Sequence, residues 1–185
     1  MEMQRNCNNM RKVLPQSFFQ RQVLIVAQQL IGKYLVRKRA GKEYSFMITE
    51  VEAYQGENDL ASHARFGRGG RSQIMFEAGG HIYIYLIYGI HRMLNIVTEK
   101  QGEPSAILIR GVEEIEGPGR LTRELEISSH LNGKVAEPSA GLWFEDRGIK
   151  VTGRSSVWRI KKTPRIGVEY AGKWANKPYR FVLDK

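Results

Sequence analysis

The sequence predicts a mixed α/β (α+β) fold, a single antiparallel or mixed sheet flanked by helices, and three observations carry that prediction. Apolar residues alternate with period two through several short segments. Turn residues join those segments directly, so hairpin follows hairpin where βαβ units would need helical crossovers. Helical spacing is confined to two stretches, residues 17–31 and 121–127.

In chain order, residues 1–15 are polar and aperiodic and are expected to form a loose tail, leaving residues 16–185 as one domain. Ser17 and Gln20 have the spacing of a capping box. Phe18, Val23, Val26, Ala27, Leu30 and Ile31 then fall on one helical face, and Gly32 is a natural stop. From Tyr34 the period changes to two. Residues 34–39 and 44–54 flank Ala40-Gly41-Lys42 and read as a hairpin, with Phe46, Ile48, Glu50, Glu52 and Tyr54 expected on one face of its second strand. Residues 56–72 form a long loop with four glycines and three arginines, and such loops in compact domains usually serve function. Gly79-Gly80 opens a strand at 81–87, which turns tightly at Tyr88-Gly89 and returns near 93–98. A further strand covers 106–112. Gly117-Pro118-Gly119 enters the second helix, and short strands follow to 179–183.

The chain's 185 residues are 42% hydrophobic and 26% charged, which suits one folded domain and excludes a disordered one. The longest stretch without Asp, Glu, Lys or Arg, residues 78–91, is too short and too polar to span a bilayer, so no membrane partner is expected. The N-terminal residues carry no apolar run of the secretory kind, and an intracellular protein is expected: cytoplasmic if prokaryotic, nuclear if eukaryotic. One cysteine, Cys7, excludes internal disulfides, thiolate zinc sites and iron–sulfur clusters. No metal and no other cofactor is expected.

The charge is uneven. Lys plus Arg number 29 against 19 acids, a net +10. Between Arg147 and Arg180, ten basic residues, Arg154 among them, face one acid, Glu169, and Arg65, Arg68 and Arg71 cluster in the long loop. Clustered cations suit a polyanion, because each neutralised phosphate releases counterions. A generally soluble basic surface and an RNA contact remain alternatives.

Several residues could carry chemistry. Glu50 and Glu52 are either a buried pair used as acid or base, or the solvated end of a strand. Tyr83 reads as core, whereas Tyr88 at a hairpin tip has little core to fill and suits stacking on or between nucleobases. His63 is a lone loop histidine with no second metal ligand beside it. Asn95 and Arg110 interrupt apolar strands, so each is a satisfied structural group or part of a site, and Arg110 would be a counter-charge for Glu52 if their strands are neighbours. Residues 117–120 could offer backbone N–H groups to a phosphate or simply begin a helix.

These residues together resemble a known family. Thr49-Glu50-Val51-Glu52-Ala53-Tyr54, followed by Ala61-Ser62-His63-Ala64-Arg65, is similar to the signature of the alkyladenine (3-methyladenine) DNA glycosylases. Met75-Phe76, Gly80-His81-Ile82-Tyr83-Ile84-Tyr85, Ile87-Tyr88-Gly89, Leu94-Asn95-Ile96-Val97 and Ala106-Ile107-Leu108-Ile109-Arg110 follow in the family's order. So do Gly117-Pro118-Gly119-Arg120-Leu121, Arg165-Ile166-Gly167-Val168, Ala171-Gly172-Lys173-Trp174-Ala175 and Lys177-Pro178. The resemblance runs from about Phe18 to Phe181.

It implies a monofunctional enzyme that cuts the N-glycosidic bond of damaged purines in double-stranded DNA, acting as a monomer. The implied fold has a curved antiparallel sheet and a protruding hairpin that probes the minor groove. By position, Glu52 corresponds to the general base and Arg110 to the residue that helps hold its water. Asn95 matches the residue that disfavours guanine's exocyclic amine. Tyr54, His63 and Tyr85 match the pocket for the flipped base, and Tyr88 the wedge. By charge and place, Arg65, Arg68, Arg71, Arg120, Lys162 and Arg165 are expected on the DNA backbone. Ile90-His91-Arg92 departs from the methionine and aromatics often found after the wedge, and the loop at 66–72 is this chain's own. Two rivals stand beside this reading: a bifunctional glycosylase/lyase with a lysine nucleophile, and a non-catalytic nucleic-acid-binding module.

Overall fold

A computed structural model of the chain describes residues 11–151 and 158–184. Residues 1–10, with Cys7, and 152–157, with Arg154, lie outside the described residues. The folded part begins before residue 16. Strand β1 (Lys12–Val13) pairs antiparallel with Asp146 and Glu145, and Leu14 is buried in the core, so residues 11–15 do not belong to a loose tail.

The predicted first helix is two helices, α1 (Gln16–Phe19) and α2 (Val23–Leu30), separated by a bend at Gln20–Gln22. The Ser17/Gln20 capping box does not form. Instead Glu99, from a distant turn, accepts the N–H of Val23 at 2.9 Å, placing a carboxylate at the positive end of α2. Val23, Val26, Ala27 and Leu30 bury one face of α2 against the sheet. The stop comes where predicted. Gly32 has φ +83°, and a Cβ there would lie 2.4 Å from a Val151 methyl, so only glycine fits.

Strands β2 (Tyr34–Arg39) and β3 (Lys42–Gln55) form the predicted hairpin, and Ala40 and Gly41 both take positive φ as a two-residue turn of primed type requires. Strands β4 (Ile82–Ile87), β5 (His91–Val97) and β6 (Ser105–Val112) follow as a meander. The short β7 (Ile115–Glu116) leads into α3 (Pro118–Glu124), and β8 (Leu142–Asp146), β9 (Arg159–Thr163) and β10 (Arg180–Asp184) complete the sheet. The main order is β1-β8-β2-β3-β6-β5-β4, with β10 joining β3 to β9, and every pairing is antiparallel. The predicted α+β class with an antiparallel sheet is therefore the observed one. Strand β4 is an edge. Its outer side is met over Ile82–Ile84 by residues 132–134: Ile82 donates to the Lys134 carbonyl and accepts from Gly133, and Ile84 donates to the Asn132 side chain.

The long strand β3 departs from strict alternation. Its register against β6 shifts between Ile48 and Glu50 and again between Glu50 and Val51. Across this irregularity the strand changes phase. Ile48 lies in the main core with Val51 and Ala53, whereas Glu50, Glu52 and Tyr54 gather on the opposite side. The expectation that Ile48 shares a face with both carboxylates is thus corrected. The bulge lets one strand supply the core and, two residues on, a polar site.

Candidate active site

The carboxylates of β3 meet Arg110 of β6 across the antiparallel ladder. Glu52 is wholly buried. Its Oε1 accepts the backbone N–H of Ile166 at 2.8 Å and lies 3.5 Å from Arg110 Nε, and its Oε2 accepts the Tyr54 hydroxyl at 2.9 Å. The shorter bond of Arg110 is to Glu50 Oε1, at 2.9 Å, which Arg180 also reaches at 2.6 Å. Arg110 is therefore shared between two acids rather than dedicated to Glu52. Burial lifts the Glu52 carboxyl above the usual carboxylate range. Arg110, the Ile166 N–H and the Tyr54 hydroxyl oppose that rise without cancelling it, and Glu50 adds to it.

Beside this cluster opens a cleft of about 670 Å³, within the usual range for small-molecule sites; Glu52 itself does not line it and lies behind Tyr54 and Arg110, which do. Tyr54, His63, Tyr85, Asn95 and Arg110 all line it, as do the hairpin residues Leu86–Gly89 and the segment 166–168. His63, held by the 3-10 turn His63–Phe66, contacts the Tyr83 hydroxyl through Nδ1 at 2.8 Å and packs edge-on against Tyr85 with ring centroids 4.5 Å apart. Burial, with Arg71 and Arg65 nearby, depresses its pKa to about 4, so the imidazole is neutral near pH 7. Burial raises the Tyr54 and Tyr85 phenols above their ordinary range, so both rings stay protonated. Asn95 is buried, its amide donating to the carbonyls of Tyr83 and Met93 at 3.2 and 3.1 Å. Tyr88 stands at the tip of the β4–β5 hairpin, 90% exposed, at φ +52°.

The chain that builds this site is similar to known proteins along most of its length. The family model for methylpurine-DNA glycosylase (MPG) matches residues 17–117 and 113–185. The chain belongs to the methylpurine-DNA glycosylase family. Among its relatives are proteins from Methanocella arvoryzae, 42% identical over 91% of each chain, and Legionella pneumophila (strain Corby), 41% identical over 94% of this chain and 95% of the relative. A third, from Anaeromyxobacter dehalogenans, is 43% identical over 92% of this chain and 83% of its own. Each bears the name "Putative 3-methyladenine DNA glycosylase". The protein is thus a DNA glycosylase, a DNA-repair enzyme whose substrate is DNA.

The cations expected on DNA take different places around the glycosylase cleft. Arg71 lines it, and Arg65 is exposed at its rim, stacked over Phe66 at 4.5 Å and Tyr170 at 5.1 Å. Arg68 is exposed near Glu77, and Lys162 is exposed beside the Phe181 ring. Arg120 pairs with Glu124 on α3, in a smaller groove that includes His91 and Arg92 of the hairpin. Arg165 is the exception. Its side chain is wholly buried in a two-pronged pair with Asp59, so it cannot meet the DNA backbone, and that expectation is corrected. Asp59 and Tyr170 are parts of the site or its frame that the sequence does not single out, and Met75 and Ile166, which stand in the quoted motifs, gain a place there that the motifs did not assign. Among the described residues, no group of three His, Cys, Asp or Glu side chains could hold a metal, and no helix is long and apolar enough to cross a membrane.

Proposed function

We propose that this glycosylase is monofunctional: it receives a damaged purine rotated out of duplex DNA and hydrolyses its N-glycosidic bond with a water deprotonated by Glu52. The observation that carries the reading is a wholly buried carboxylate held directly behind Tyr54 and Arg110, two residues that line a cleft also walled by His63 and Tyr85. A base within the stack cannot be reached, so it must leave it, at a cost of a few kcal/mol that is least for damaged or mispaired bases. In the cleft an electron-poor alkylated purine gains from the tyrosine faces. A neutral His63 adds no positive charge against it.

The bond to C1′ breaks with its electron pair passing to the base nitrogen, which discharges the cation of an alkylated purine. The water oxygen bonds to C1′ and its proton passes to Glu52. Each Glu52 oxygen accepts one strong hydrogen bond, leaving a lone pair for that proton. Arg110 favours the ionised form. Tyr88, with no core to fill, serves as the wedge in the space the base leaves. One chain supplies the whole cleft, so the enzyme is read as a monomer.

The deciding experiment is release of free base from duplex DNA carrying 3-methyladenine or hypoxanthine. Retention of every base by active-site-intact protein would remove the reading. No lysine is among the residues lining the cleft, which favours hydrolysis over a lyase, and borohydride should trap no covalent protein–DNA adduct. Excision should persist in EDTA. Binding should weaken steeply with salt, each phosphate contact adding about −0.9 to the log–log slope, as titrations at several salt concentrations will measure.

The acidity of the site gives a further expectation. The base works only when ionised, and burial raises Glu52 above the ordinary value of about 4.3. Single-turnover base release should therefore fall with acid through a midpoint above that value. A midpoint at or below it would place the catalytic base elsewhere.

A further inference from the structure

The buried pair of Asp59 and Arg165 lies outside the chemistry just described yet contacts the Tyr54 ring and the backbone of Ala61, both in the wall of the cleft. Arg165 Nη1 donates to Asp59 Oδ2 at 2.5 Å and to the Ala53 carbonyl at 2.9 Å. Its Nη2 donates to Asp59 Oδ1 at 2.9 Å and to the Trp174 carbonyl at 3.2 Å. The guanidinium sits between two rings, 4.8 Å from the centre of Tyr54 and 5.3 Å from that of Tyr179. Asp59 also accepts the backbone N–H groups of Gln55 and Ala61 at 3.1 and 3.0 Å, which folds the start of the loop that carries His63.

The sequence neighbours of this pair matter most. Arg165 precedes Ile166, whose N–H bonds Glu52 Oε1. Ala53, whose carbonyl Arg165 holds, lies between Glu52 and Tyr54, whose hydroxyl bonds Oε2. Residues 164–168 belong to no strand, so no ladder fixes their distance from β3. Side chains must set it. A planar fork with fixed donors does so in a way a point charge cannot.

We propose that Asp59 and Arg165 are positioning residues of the glycosylase, a buried clamp that holds the Ile166 N–H and the Tyr54 hydroxyl on the two oxygens of Glu52. The clamp touches no substrate and acts only through those two donors. This rests on the reading of Glu52 as the base. The groups that face the Glu52 carboxylate are Tyr54 and Glu50 on its own strand, Arg110 on β6, Tyr85 on β4 and the Ile166 N–H, with Arg180 behind Glu50. Loosening the clamp releases the first and the fifth of these and leaves the others in place.

The test uses Arg165→Lys, which keeps the charge and loses the fork, and Asp59→Asn, which keeps the shape and loses the charge. Both are compared with the unaltered chain in single-turnover base release from a hypoxanthine duplex across pH. Both are also titrated through the carboxyl carbon of ¹³C-glutamate-labelled protein, with Glu52 assigned by the signal missing in Glu52→Gln. For folded Arg165→Lys, the rate per folded molecule should fall about 10- to 100-fold, as when partners that orient metal ligands are removed. DNA affinity should stay within about threefold, since neither residue reaches the surface. The Glu52 midpoint should rise by about one pH unit or more, since each of the two hydrogen bonds to the charged group is worth about that much. An unchanged midpoint together with an unchanged rate per folded molecule overturns the clamp. So does failure of both variants to fold, which would make the pair structural only. The carboxyl titration needs no turnover, so it separates the two ideas: a shifted midpoint in an enzyme that does not need Glu52 would remove the general-base reading and keep the clamp.

Discussion

Glu52→Gln should slow base release by roughly 10²–10⁴-fold, the usual contribution of a general base, because the amide cannot accept the proton of water. The variant should fold. The Gln oxygen can still accept the Ile166 N–H, and its NH₂ can donate to a turned Tyr54 hydroxyl. The sign of the stability change is also fixed. Burial raises the Glu52 pKa in the folded chain, so the ionised form costs stability once pH rises through that pKa. At neutral pH, Glu52→Gln removes that cost, and melting should be unchanged or higher. Affinity for lesion-bearing duplex should be retained. Glu50→Gln is the control. It keeps an oxygen for Arg110 and Arg180 but removes the negative charge they share, which weakens their hold and frees Arg110 to turn toward Glu52, so base release should fall by about tenfold at most. Equal losses in the two variants, read in single-turnover assays, would show that the wrong carboxylate carries the proton.

Tyr88→Ser should slow excision by about 5- to 150-fold from a stably paired lesion, the equivalent of about 1–3 kcal/mol of base–aromatic contact. The effect should be far smaller from a mispaired one. Tyr88 is exposed at the hairpin tip, so its removal leaves no cavity in the fold. Serine keeps an L side chain at the same left-handed φ, so backbone strain is not relieved as it would be by glycine. What is lost is the surface that keeps the stack from closing on the vacated space, and that matters most where flipping is hardest. Tyr85→Ser, which empties the wall next to His63 and Tyr83, should slow both substrates alike. The measurement is base release from paired and mispaired hypoxanthine duplexes. Equal slowing of both by Tyr88→Ser would mean that the tyrosine does not act on the stack.

Local pattern and local chemistry were the legible parts of this chain. The β2–β3 hairpin, the stop at Gly32 and the exposed tip at Tyr88 each follow from a few adjacent residues, and each is where the pattern places it. Arg110 stands out because a charge inside an apolar strand must find a partner, whereas the local pattern leaves Glu50 and Glu52 equivalent and only the family resemblance picks Glu52. What stayed hidden depends on residues far apart in the chain. The carboxylate of Glu99 caps α2 across 76 residues, so the nearby Ser17/Gln20 spacing misleads. A bulge in β3 shifts the phase that simple alternation assumes. Arg165 belongs to a basic run and looks like a phosphate contact until Asp59, 106 positions away, is seen to hold it. Charge composition counts cations without telling which of them are already taken.

The exposed edge of β4 has a practical consequence for handling the protein. Residues 132–134 cover that edge only as far as Ile84, and beyond it the hairpin presents Leu86, Tyr88 and Ile90 to solvent. An uncovered apolar strand is a template on which another copy can pair. Here Arg92 in the facing strand, together with the net charge of +10, opposes such pairing by repulsion. Salt screens that repulsion at the same concentrations that loosen DNA. Purification at high ionic strength to strip nucleic acid therefore also removes the protein's colloidal protection, and light scattering should show self-association rising with salt in the free enzyme and falling again when a short duplex covers the hairpin.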